Sequence, residues 1–142
     1  MNRLVIDASV TVKWFLQNTA DERDVEVALG LLEAGKSGDC SFVQPPHWVG
    51  EVAGVLVRHQ PAVAASNIDD LLQFRIYSVN GTAAVYKRAI ELSRRLEHHL
   101  FDTFYHAVAL ELGIQLITAD RQYFNKAKKL GSIVMLDSLV SN

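Results

Sequence analysis

The sequence predicts an α/β domain in three layers, with helices packed on both faces of a central parallel sheet of four to five strands. Three observations lead there. Five short apolar runs read as strands, at residues 4–6, 40–43, 76–79, 114–118 and 133–136. Between them lie segments whose apolar positions recur every three or four residues, the period of an amphipathic helix. Strands alternating with helices build parallel sheets covered by helices. The 142 residues are 49% hydrophobic and 21% charged, which suits one globular domain over 1–142 with a core of its own.

In chain order, Leu4-Val5-Ile6 is apolar without alternation, as a strand buried on both faces requires, and it ends at Asp7. A short helix is expected over 8–15. Thr19 with Glu22 spells a capping box opening a helix through Val25, Ala28, Leu29 and Leu32, with a stop near Gly35. Pro45 and Pro46 close the second strand, and Pro46 suits the first turn of a helix over 46–58. Pro61 breaks that helix, and another is expected over 63–74. Asn80-Gly81 is a turn signal, after which Thr82 caps a helix through Leu96. Helices over 102–112 and 121–130 end at Gly113 and Gly131.

Composition excludes several classes. Fourteen basic against 16 acidic residues give a net charge of −2, which disfavours a protein holding nucleic acid through its overall charge but leaves room for an enzyme with a local basic patch. The lone Cys40 forms no internal disulfide and no zinc site needing two thiolates, so a reduced, cytoplasmic setting is expected. No apolar stretch is long enough to span a bilayer, and the start of the chain reads as neither signal peptide nor anchor.

Ligands in such sheets bind at the carboxyl ends of the strands, which directs attention to the acids there. Asp7 ends the first strand, and Asp120 follows the fourth. Glu51, in Trp48-Val49-Gly50-Glu51-Val52-Ala53, and Asp102, in Leu100-Phe101-Asp102-Thr103-Phe104, sit among apolar neighbours. Acids in apolar surroundings are costly unless paired or bound to a cation. Singly, each Asp also suits a helix N-cap, and Glu51 a buried ion pair. Together, several carboxylates at one sheet edge form a hard oxygen site suited to Mg²⁺ or Mn²⁺. Ser9 and Thr118 lie beside Asp7 and Asp120, where hydroxyls orient carboxylates or bond the local backbone.

With those residues in view, the sequence resembles the PIN domain family and, within it, the VapC-like toxins of type II toxin–antitoxin pairs. Four ordered stretches carry the resemblance: 5–10, the helix around Glu51, 101–110 and 117–124. The resemblance implies a metal-dependent endoribonuclease, a hydrolase of RNA phosphodiesters, with Asp7, Glu51, Asp102 and Asp120 as its acidic Mg²⁺ (or Mn²⁺) site. Thr118 matches a recurrent supporting position, and Ser9 does so less firmly. It also implies an RNA target (usually tRNA, rRNA or mRNA), growth arrest, a cognate antitoxin that blocks the site, and a homodimer. All four acids of the family set are present.

Basic residues offer phosphate contacts: Lys87, Arg88, Arg94 and Arg95 on one helix face, and Arg121, Lys126, Lys128 and Lys129 further on. A solvated helix face is the plain alternative for each. Gly30 to Ser37 spells a P-loop, but it ends a helix instead of following a strand. A haloacid-dehalogenase-type phosphatase wants an Asp where Ser9 stands, and a receiver domain wants an acidic pair and a Lys that are absent. His98, His99 and His106 lack the convergent partners of a zinc site, and His106, four residues after Asp102, is spaced to pair with it. Trp14, Phe15 and Trp48 are candidates for base stacking or for the core. The competing functional classes are a PIN-like module that binds RNA or protein without cutting, and a nuclease with a housekeeping role.

Overall fold

The computed structural model describes residues 2–16 and 23–139. Its elements are β1 (Asn2–Ile6), α1 (Ala8–Thr11), α2 (Val25–Ser37), β2 (Cys40–Gln44), α3 (Trp48–His59), α4 (Ala64–Gln73), β3 (Tyr77–Val79), α5 (Ala83–Leu96), α6 (Leu100–Leu112), β4 (Gln115–Thr118), α7 (Arg121–Ala127) and β5 (Ile133–Met135). Single 3-10 turns extend α1 over Val12–Trp14 and α7 over Lys128–Leu130, and another follows β5. All five strands are parallel, in the order β3-β2-β1-β4-β5. The expected α/β class, five strands and parallel sheet are thus observed, with seven helices flanking the sheet.

β1 occupies the centre, and this explains its unbroken apolar run: Val5 and Ile6 have no exposed surface. At its edge with β2, backbone pairing runs from Asn2↔Cys40 to Leu4↔Phe42. Beyond that point the side chain of Gln44 takes over. Its amide accepts from the Ile6 N–H at 2.9 Å and donates to the Ile6 carbonyl at 2.7 Å. Gln44 is fully buried, so this pairing satisfies two backbone groups and both ends of the amide.

Several expectations shift in detail. The Thr19–Glu22 capping box lies outside the described residues, and α2 begins at Val25 after Asp24, which makes no side-chain cap. The helix passes Gly35 and ends at Gly38, whose left-handed φ of 85° closes it. Gly35 serves packing: a Cβ there would stand 2.9 Å from the Phe42 ring. α3 starts at Trp48, two residues past Pro46. α6 starts at Leu100 because the His99 imidazole accepts from the Phe101 N–H and supplies the cap; Asp102 is therefore in the first turn and caps nothing. Thr82 and Asp120 cap α5 and α7 as expected, through Val85 and Tyr123. The P-loop spelling falls within α2 and follows no strand. Trp14 and Trp48 are core residues, 3% and 1% exposed, with indole N–H groups donating to Ala28 and Thr11. Neither is open to a base.

Candidate active site

Parallel pairing of β1 with β4 brings the ends of both strands together, and the Asp7 N–H donates to the Ile117 carbonyl. Asp7 caps α1 and Asp120 caps α7, so both carboxylates stand at one sheet edge. Glu51 reaches the same place from the first turn of α3, and Asp102 from the first turn of α6. All four line a cleft of about 640 Å³. Carboxylate oxygens of Asp7, Glu51 and Asp102 lie within 4.8 Å of one another. Asp120 belongs to an adjoining group with Asp102 and His98, held to the same limit. Asp102 is common to both groups.

Each member of the first group has one oxygen anchored by a neighbour. Ser9 donates to Asp7 Oδ2 from its N–H at 3.2 Å and from its hydroxyl. The Ser9 hydroxyl in turn accepts from the Ala119 N–H, tying the end of β1 to the loop after β4. Tyr105 donates to Glu51 Oε1 at 2.6 Å. His98 Nε2 lies 2.9 Å from Asp102 Oδ2, and its Nδ1 lies 3.2 Å from Lys126 Nζ. An ammonium only donates, so Nδ1 accepts and Nε2–H points its proton at Asp102. Thr118 touches no carboxylate; its hydroxyl accepts from the Asp120 N–H at 3.0 Å and shapes the turn.

Electrostatics follow from this crowding. Burial pushes the Asp7 carboxyl up to about 7, helped by the charges of Glu51 and Asp102 and opposed by the Ser9 hydrogen bonds. Burial also raises Glu51, against the Tyr105 hydrogen bond. The Tyr105 phenol is pushed far up by burial and by the surrounding acids, so it stays a donor. These oxygens suit a hard divalent cation: three carboxylates converge, and two of them are buried acids held above their usual range.

The pairing of Asp102 with His106 does not occur. His106 is fully buried, bonded to the Tyr123 hydroxyl and the Gly131 carbonyl, each at 2.8 Å, and burial lowers its pKa. His98, four residues before Asp102, is the one that folds back on it. Among the cations singled out in the sequence, Arg94 and Arg95 lie in the last turn of α5, and Arg94 pairs with Glu91. Arg121 pairs with Asp137, and Lys126 donates to the Glu97 carbonyl. None of these four lines the cleft. Among the described residues the cations that do are Lys13 and Arg58, neither of which stands in a basic cluster of the sequence. Lys13 carried a signal, a charge in the apolar run Val10-Thr11-Val12-Lys13-Trp14. Tyr105 carried one too, three residues after Asp102 on the same helix.

A PIN domain model matches residues 4–130, and the chain belongs to the PIN domain family. The resemblance read from the motifs is therefore borne out at the level of the family. Among solved structures, the fold is similar to that of VapC20 of Mycobacterium tuberculosis, described as a sarcin–ricin loop cleaving toxin. The two align with a TM-score of 0.61 at 21% identity, over 81% of this chain and 86% of that one. No curated protein matches the sequence significantly. Among the described residues, no helix is long and apolar enough to cross a membrane.

Proposed function

We propose that this protein is a metal-dependent endoribonuclease and the toxin of a toxin–antitoxin pair. The observation that carries the reading is the convergence of Asp7, Glu51 and Asp102 in an open cleft, with Asp120 on its wall. Membership of the PIN family and the fold likeness to a toxin that cleaves the sarcin–ricin loop support it. In this reading Asp7, Glu51, Asp102 and Asp120 hold Mg²⁺ or Mn²⁺. When bound, the ion polarises the phosphate and lowers the pKa of the attacking water.

The chain's own residues do the rest. Ser9, Tyr105 and His98 each fix one carboxylate oxygen and leave the other without a hydrogen-bond partner among the described residues. Orientation of this kind from behind the ligands commonly matters as much as the ligands themselves. Lys13 and Arg58 bring positive charge to the cleft, where an RNA backbone must pass four acids. One carboxylate takes the proton of the attacking water as general base. The partners assigned are an RNA substrate, a cognate antitoxin and a second copy of the chain, in the cytoplasm.

The test is cleavage of a mixed RNA pool by the purified protein in Mg²⁺, in Mn²⁺ and in EDTA, beside Asp7→Asn. Cleavage that needs metal and vanishes in the variant is expected, as is growth arrest on induction. Equal cleavage by both proteins overturns the site; metal binding without cleavage of any RNA and without growth arrest leaves a binding module instead.

A further inference from the structure

We propose that the pocket beside the acidic cleft, between the start of α3 and the first turn of α6, holds one unpaired nucleobase of the RNA next to the cleaved phosphate. This deepens the ribonuclease reading and rests on it. The pocket has a volume of about 380 Å³ and is lined by Pro46, His47, Gly50, Glu51 and Phe101. Glu51 lines both this pocket and the cleft, so the two adjoin at one of the acids.

The walls specify a base over a phosphate. Among the described residues, no lysine or arginine lines the pocket. Aromatic rings do. Phe101 stacks on His47 at 4.8 Å between centroids and 29° between planes, and His99 tilts against it from 5.4 Å. Phe101 is still 46% exposed, an apolar ring left in water at the mouth of a polar cleft. Single-stranded RNA is recognised where unstacked bases find such rings.

His47 adds the second observation. Both of its ring nitrogens are enclosed, and among the described residues neither has a well-formed hydrogen bond; the nearest partner is the backbone at Phe101. An enclosed polar atom without a partner is costly, and a native protein keeps one for a reason. Burial lowers the pKa of His47, against the Phe101 backbone and the charge of Asp102, and so favours the neutral ring. A neutral imidazole offers one donor and one acceptor, the complement of a nucleobase edge, where a cationic ring would suit a phosphate.

The experiment maps cut sites by sequencing the ends produced from a mixed RNA pool in Mn²⁺, for wild type, Phe101→Ala and Phe101→Trp. Phe101 is exposed, and circular dichroism checks that the variants fold. Stacking of one base predicts at least about a fivefold loss of kcat/KM in Phe101→Ala, carried mainly by KM. Base preference at one position beside the cut should flatten in Phe101→Ala and return in Phe101→Trp. Wild-type rate and preference in Phe101→Ala would overturn the base pocket alone and leave its rings to a protein partner. No cleavage by wild type would overturn the ribonuclease reading, and the pocket with it.

Discussion

Replacing Asp7 by Asn should stabilise the metal-free protein, and by an amount that depends on pH. Asn is as good a helix N-cap as Asp, and its side-chain oxygen can still accept both Ser9 hydrogen bonds. What the change removes is a buried charge. The carboxyl rises from an ordinary 3.8 to about 7 in the folded protein. Between those values the unfolded chain has lost its proton while the folded one keeps it, so stability falls as pH rises through that window. Above pH 7 the full penalty stands. At 1.36 kcal/mol per pH unit it amounts to about 4 kcal/mol. For a domain of this size that is on the order of 10 °C in Tm. Calorimetry in EDTA should find the two proteins similar near about pH 4 and Asp7→Asn clearly more stable near about pH 8. Excess Mg²⁺ or Mn²⁺ should raise the Tm of wild type far more than that of the variant, since only a folded state that binds the ion gains from it. A Tm difference that is the same at both pH values, or a wild type that is the more stable at the higher one, would refute the reasoning.

Other changes test the surroundings. Tyr105→Phe keeps the ring but removes the hydroxyl on Glu51; Mn²⁺ affinity by titration calorimetry should drop about tenfold, the usual scale for a partner behind a ligand. Gln44→Leu strands the Ile6 N–H and carbonyl, and denaturant unfolding should register a loss of about 2–5 kcal/mol. Two glycines of α2 should respond with opposite signs. Gly30→Ala meets open space and should gain about 0.5–1 kcal/mol from helix propensity. Gly35→Ala drives a Cβ to 2.9 Å from the Phe42 ring and should lose stability on balance, as overpacking typically costs about 1–3 kcal/mol. The two midpoints in urea, compared with wild type, decide it.

Much of the fold was legible because its signals are local. An apolar run ended by Asp7 marks a central strand, and a Thr or Asp before a periodic segment marks a helix start, as at Thr82 and Asp120. The start of α6 was hidden because His99 does the capping, a role His rarely takes. The stop at Gly35 was misread because a glycine required for close packing looks the same in sequence as one required for a left-handed turn. The four acids stood out as charges among apolar neighbours. What holds them did not. Pairing of Tyr105 with Glu51 spans 54 positions, and nothing in the spacing says whether His98 or His106 turns toward Asp102. The cations chosen for their clustering lie elsewhere on the surface, while Lys13 and Arg58 reach the cleft because β1, α1 and α3 converge there. That convergence is a property of the tertiary fold alone.

The amide of Gln44 has a geometric role as well as an energetic one. Where backbone would meet backbone, a side chain stands between β1 and β2. It bridges the ends of β1 and β2 at the edge from which α1 and α3 depart. A shorter amide, as in Gln44→Asn, would have to draw the strands together or abandon Ile6. A residue that hydrogen-bonds no acid thus joins the strand that ends at Asp7 to the strand that leads into the helix of Glu51.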